Sequence, residues 1–240
     1  WVTKIMYHYR WHHLYVDAIA KAGNMLPLMS DNQMNVEQHA DIKDFITTRQ
    51  MNRTALVGST DNNRDIIENS FVRLLRTLET HLTENQFLLG NRPGRGDFGL
   101  FGQFSQLFFW EPDSSLIAAR RSPRSVIWAY QIDDLSSLEI GETDGWFTRD
   151  KLPESLLDLL SEIGGTYAPF LIANEQAIEA GDPELSCLIE GREYKQAPFA
   201  YQNKCLSWIR EAFRQLSADN QDAVTQILSG TGCEVLIPDV

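Results

Sequence analysis

Apolar positions along this chain recur mostly three, four and seven residues apart, the spacing of one helical face, and only one short stretch carries a good hairpin signal. From Trp1 to about Ala22 there is neither Pro nor Gly, and Val2, Ile5, Tyr9, Val16 and Ile19 share a face. This predicts a single helix ended by Gly23 and Pro27. Tyr7, Trp11, Leu14 and Tyr15 lie on its other faces. Such a helix is expected to bury one side and to line a groove or an interface with another. A second helix is predicted from Asn35 to about Asn52. Gly58-Ser59-Thr60-Asp61 then offers a loop with a cap for a third, whose apolar stripe is Ile66, Ile67, Phe71, Leu74, Leu75, Leu78 and Leu82.

Phe87-Leu88-Leu89-Gly90-Asn91-Arg92-Pro93-Gly94 reads as an apolar clip followed by turn residues. The stretch from Asp97 to Trp110 is dense in aromatics, predicting a central helix that is apolar on most sides. Pro123 suits the first turn of a short amphipathic helix through Val126, Ile127, Tyr130 and Leu135. Leu152 to Ile163 predicts another, broken or kinked at Gly164-Gly165, with Thr166 as the cap of a further helix that stops at Gly181-Asp182-Pro183. The hairpin signal is Cys187 to Tyr194, two strands around Glu190-Gly191. Helices from about Ala200 to Leu216 and from Asp219 to Ser229 complete the pattern. About eight helices and one hairpin predict an all-α bundle and exclude a doubly wound sheet.

Composition narrows the partners. A 240-residue chain that is 43% hydrophobic and 22% charged is globular rather than disordered. Its 33 acidic and 21 basic residues give a net charge of −12, which would repel nucleic acid and anionic membrane surfaces. Neither is expected as a partner. No apolar stretch approaches the ~18 residues of a membrane span, and three widely spaced cysteines, Cys187, Cys205 and Cys233, fit reduced thiols in the cytoplasm. The chain opens on Trp1 inside a helical pattern, so it is expected to be part of a longer protein.

Phosphate loops, paired Cys-x-x-Cys motifs, metalloprotease His pairs and nucleophile elbows are all missing from the sequence. The richest cluster is Tyr7-His8-Tyr9-Arg10-Trp11-His12-His13. His8 and His12 stand four apart on one helical face, but no third ligand is evident, so packed and hydrogen-bonded imidazoles are expected and no metal. In the functional reading, Tyr7, Arg10, Trp11 and Leu14 line a cleft for an apolar or aromatic ligand, with Arg10 offering a fork to a carboxylate; core and interface packing is the other reading. Cys205 lies between Tyr201, Trp208 and Ile209, where a thiol is expected to be buried and structural. Asp97 occupies the third position of its helix, where a carboxylate accepts the amide hydrogen of the cap residue and complements the helix dipole. It is expected to be structural.

The run Phe87-Leu88-Leu89-Gly90-Asn91-Arg92-Pro93, followed by Asp97-Phe98-Gly99-Leu100-Phe101-Gly102, resembles the helical C-terminal domain of glutathione S-transferases, where a Leu-Gly-x-Arg-Pro-Ser-x-x-Asp run opens the central helix. Gly94 stands where that family has a capping Ser or Thr. Pro169-Phe170-Leu171-Ile172-Ala173-Asn174, Tyr201 to Arg210, Gly232-Cys233 and the opening Trp1 to Trp11 are similar to a long bacterial subgroup of the same proteins. The resemblance implies one helical domain over residues 1–240, with a core to about 140 and an extension of extra helices and the hairpin beyond it. It also implies a thioredoxin-like domain before Trp1 that binds glutathione, with the present chain supplying the wall for a hydrophobic electrophile through Tyr7, Arg10, Trp11 and Leu14, in a homodimer. No catalytic residue is carried onto this chain by the resemblance. Its alternative is a non-catalytic interaction or ligand-binding module of the same fold.

Overall fold

The computed structural model describes residues 1–139, 141 and 145–238. Helices dominate: α1 (Val2–Trp11), α2 (Val16–Ser30), α3 (Val36–Met51), α4 (Arg64–His81), α5 (Arg95–Ser105), α6 (Pro112–Arg121), α7 (Pro123–Asp133), α8 (Glu154–Ala180), α9 (Ala200–Arg214) and α10 (Ala218–Leu228). Strands β1 (Leu185–Ile189) and β2 (Arg192–Gln196) pair antiparallel, with Ile189 opposite Arg192 and Leu185 opposite Gln196. The all-α reading with one hairpin holds. Both turn residues of the hairpin, Glu190 and Gly191, have positive φ, the geometry that matches the twist of two-residue hairpins.

The helices bury two adjoining clusters. The larger gathers Ile5 and Tyr9 of α1, Phe71, Leu75 and Leu78 of α4, Phe104 of α5 and Trp128 of α7. The smaller joins Ile66 of α4, Phe170 and Leu171 of α8, Leu185, Ile189 and Tyr194 of the hairpin, Leu206 of α9, and Cys233 and Leu236 near the end. Helices α4 and α8 are clamped by Arg73, whose guanidinium donates to both carboxylate oxygens of Glu162 at 3.0 Å and to the Thr166 hydroxyl at 3.0 Å. The boundary expected at about 140 falls at Ile140, outside the described residues.

Several expectations are corrected. The first helix stops at Trp11, where His12 turns extended (φ −67°, ψ 136°), and α2 then runs through Gly23 and Pro27 to Ser30. Local pattern missed the break because it is tertiary: Tyr15 swings its hydroxyl onto Glu68 of α4 at 2.8 Å and its ring to 4.8 Å from that of Tyr9. The loop does supply a side chain to the head of α4, since the Thr60 hydroxyl accepts the Asn63 amide at 3.3 Å, while Asn63, the residue before the helix, makes no cap bond of its own. Helix α5 is open along one side, with Phe98 half exposed and free space beside Gly99 and Gly102, and it ends in a π-helical turn, Gln106–Trp110. Helix α6, unforeseen, starts on Pro112 in the first turn.

Helix α8 continues without a break through Gly164-Gly165. The reason lies across the interface: a Cβ on Gly164 would stand 2.7 and 2.8 Å from the Gly232 carbonyl carbon and Cα, so glycine permits the C-terminal segment to dock here and does not break the helix. Being continuous over 27 residues, with a mean hydropathy of 1.2 in its most apolar window, α8 is long and apolar enough to cross a membrane by length and composition, which corrects the expectation that no such stretch exists. Its Glu162 and Glu175 are paired with Arg73 and Arg210.

Asp97 is fully buried at the start of α5. One carboxylate oxygen accepts the Gly94 amide at 2.8 Å and the other the Leu88 amide at 2.9 Å. Gly94 contributes no side-chain cap, and the Trp146 ring lies 3.2 Å from where its Cβ would be.

Candidate functional site

The chemistry-bearing residues concentrate at the C-terminal end of α1. One helical turn there presents a different side chain to each neighbour, so the four residues expected to line a cleft part company. The Tyr7 hydroxyl donates to the backbone carbonyl of Gln50 at the end of α3, 2.8 Å away, and lies 3.0 Å from its side-chain oxygen. Burial raises its pKa, against the pull of Arg53 and Arg49. Arg10 points instead to the turn after α5. Its guanidinium pairs with Glu111, donates to Gln106 at 2.9 Å and stacks 4.5 Å from the Trp110 ring centre. The fork that the sequence offers to a ligand carboxylate is therefore occupied by a carboxylate of the chain itself. Trp11 is buried, and Leu14 is half exposed in the turn before α2.

Glu111 is fully buried, which raises its carboxyl pKa, while Arg10 and Lys21 draw it back. A buried ion pair of this kind fixes geometry, since either partner alone would be a desolvated charge.

The sequence pattern weighed His8 and His12 as a metal pair and expected packed, hydrogen-bonded rings, and the structure shows how His8 and His12 are held. His8 is fully buried between the Ser59 hydroxyl, 2.8 Å from Nδ1, and Glu68, 3.3 Å from Nε2. Although burial opposes it, the Glu68 carboxyl pKa is lowered by the contacts from His8 and Tyr15. Tyr9 and Tyr15, packed close by, have their phenol pKa values raised by burial. His12 is buried, with its Nδ1 unpartnered, and burial together with His8 and His13 pushes its pKa down to about 4, against the opposing pull of Asp61 and Glu68. Imidazole is consequently its form at neutral pH. His8 and His12 do share a side, with ring centres 4.6 Å apart, but the residues that join His12 at the surface are His13 and Asp61.

Lys4, on the other end of α1, was not singled out from sequence. It is buried among the rings of Trp1, Phe170 and Tyr194, each within 4.7 Å of Nζ, and donates to the Tyr194 hydroxyl and to the Gln196 side-chain oxygen, the latter at 2.6 Å. Burial lowers its pKa well below the ordinary lysine range. No sequence period marks it, because its partners come from β2, some 190 residues on.

Neither Cys187 nor Cys233 is an activated nucleophile. Burial pushes Cys187 up to about 11 and raises Cys233, which donates to the Leu160 carbonyl. Cys205 is only half-buried, and the apolar side of α9 expected to enclose it is turned outward, with Tyr201 and Trp208 more than half exposed. Two hollows, of about 770 Å³ between the start of α8 and α10 and about 650 Å³ beside Leu82–Gln86 and α7, are lined by none of Tyr7, Arg10, Trp11 and Leu14. Compared with protein-family models, with curated proteins and with solved structures, the chain matches none.

Proposed function

We propose that this chain is the helical, electrophile-facing half of a glutathione transferase-like protein, working beside a glutathione-binding domain as a cytoplasmic homodimer. The observation that carries the reading is the carboxylate of Asp97, which ties the Leu88 clip to the first turn of α5. The resemblance has such an Asp at the opening of its central helix, and the capping expected of Asp97 from its first-turn position is the bond to Gly94. Tyr7 and Leu14 are the wall residues left with exposed surface; Arg10 and Trp11 act behind them, the first by bracing α1 against Glu111. Chemistry on the thiol of glutathione belongs to the partner domain, since a thiol of pKa about 8.5 needs a donor to ionise at neutral pH and no residue of this chain is assigned that task.

The test is to express the chain together with the coding sequence preceding Trp1 and to follow conjugation of glutathione to a chlorodinitrobenzene electrophile. Expected are saturable turnover and, for Tyr7→Ala and Leu14→Ala, a kcat/KM toward the electrophile lowered about fivefold, about 1 kcal/mol, with the KM for glutathione unchanged. Failure of glutathione to bind at millimolar concentration overturns the enzymatic reading. A second reading, an interaction module, draws on a different observation. Val16 and Met29 of α2 and Val36 and Phe45 of α3 are all more than 60% exposed, and α3 buries no residue at all. Apolar surface of this extent on one helical pair marks a contact face. If glutathione fails to bind, this reading takes the place of the first.

A further inference from the structure

The break between α1 and α2 places two histidines where no continuous helix could. Adjacent residues of an α-helix point about 100° apart. With His12 extended, the rings of His12 and His13 instead lie 4.4 Å apart and only 32° from parallel. Asp61, in the turn leading to α4, meets both: its Oδ1 is 3.3 Å from His12 Nε2 and 3.5 Å from His13 Nε2. We propose that His12, His13 and Asp61 form a binding site for one divalent transition-metal ion of the zinc type, with water in the remaining position.

Three features support the assignment. Metal–ligand bonds of about 2.0–2.2 Å in a tetrahedron set donor atoms about 3.3–3.6 Å apart, and both separations from Asp61 Oδ1 fall in that range. All three donor atoms lie within 4.8 Å of one another. The donor set selects the metal, because two imidazole nitrogens with one carboxylate suit zinc, nickel or copper, whereas magnesium and calcium take oxygen. Finally, one ligand is anchored and two are accessible. His12 is 2% exposed, while His13 and Asp61 are 56% and 71% exposed, so an ion can enter from solvent and still be fixed to the fold. The ion would tie the α1–α2 turn to the head of α4, next to Tyr15 and Glu68. The site is separate from the thiol chemistry proposed above and stands whether or not glutathione binds.

The experiment uses tag-free protein stripped with a chelator and titrated with Zn2+ in a calorimeter, with thermal unfolding measured at each ratio. One equivalent is expected to bind and to raise the Tm, since a ligand bound by the folded state alone stabilises it. His13→Ala and Asp61→Ala remove exposed side chains and leave the metal-free Tm unchanged, but each should weaken Zn2+ binding at least tenfold and abolish the Tm shift. No binding at millimolar Zn2+, an affinity untouched by both substitutions, or Mg2+ binding as tightly as Zn2+ would each overturn the proposal.

Discussion

The carboxylate of Asp97 accepts the amide of Leu88 at 2.9 Å, joining two positions nine residues apart across the turn that leads into α5. Its second oxygen serves Gly94. Because Asp97 is fully buried, truncation removes the acceptor of two amides from inside the fold. Asp97→Ala is expected to lower the unfolding free energy by about 2–4 kcal/mol, read from urea denaturation. Asp97→Asn retains one accepting oxygen and presents an NH2 to the other amide, so it should fall between Ala and the parent. Equal stabilities of all three proteins would show that the clip is held by packing alone.

Arg10 and Glu111 are predicted to behave as one unit. Glu111 is wholly enclosed, and one of its oxygens has no partner, so removing the guanidinium strands a carboxylate in the interior. Arg10→Met should cost about 3–5 kcal/mol, while Arg10→Met combined with Glu111→Leu should recover most of that loss. A double-mutant cycle with additive effects would contradict the pairing. It would also reopen Arg10 as a ligand-binding group, because its fork would then be free in solution.

The same pair marks the limit of what local pattern shows. Helix periods located α3, α4, α7, α9 and α10, and the Glu190-Gly191 turn located the hairpin, because each is written within a few adjacent residues. Asp97 was legible for the same reason, as a cap lies three residues from its donor. Arg10, Lys4 and Tyr15 were not, since Glu111, Tyr194 and Glu68 meet them only after the chain has folded. His12, His13 and Asp61 were hidden by the assumption of an unbroken helix, under which His8 and His12 looked like the pair of interest. Pro112 at the start of α6 was a signal present and not used.

Glycine gave the most misleading local signal, and it yields a sharp contrast. At Gly164 an added Cβ would intrude on the backbone of Gly232 and Thr231, whereas at Gly102 nothing lies within 4 Å. Gly164→Ala should destabilise by about 1–3 kcal/mol through overpacking and loosen the 231–236 segment, visible as faster amide exchange there. Gly102→Ala replaces glycine inside a helix with open space around it and should stabilise by about 0.5–1 kcal/mol. Reversed signs would mean that Gly164 breaks α8 and that the helix bends at this point in solution.

His81 supplies a pH dependence with a definite sign. The ring is fully buried at the end of α4, with Nε2 3.2 Å from the carbonyl of Phe87 and Nδ1 2.9 Å from the Ser155 hydroxyl. A carbonyl only accepts, so Nε2 carries the proton and Nδ1 accepts from Ser155. The Phe147 ring stands edge-on at 6.3 Å. Burial lowers its pKa below the ordinary 6.5, although the Phe87 carbonyl and the charge of Asp97 oppose the shift. Between the folded and unfolded pKa values the unfolded chain therefore binds more protons, and stability rises with pH. The contribution is fully present above about pH 6.5 and is lost as the pH falls through that value toward the folded-state pKa. His81→Gln keeps an N–H for Phe87 but cannot titrate. Unfolding free energies measured from pH 7.5 to 5 should consequently fall more steeply for the parent than for His81→Gln, and parallel curves would place the acid sensitivity elsewhere.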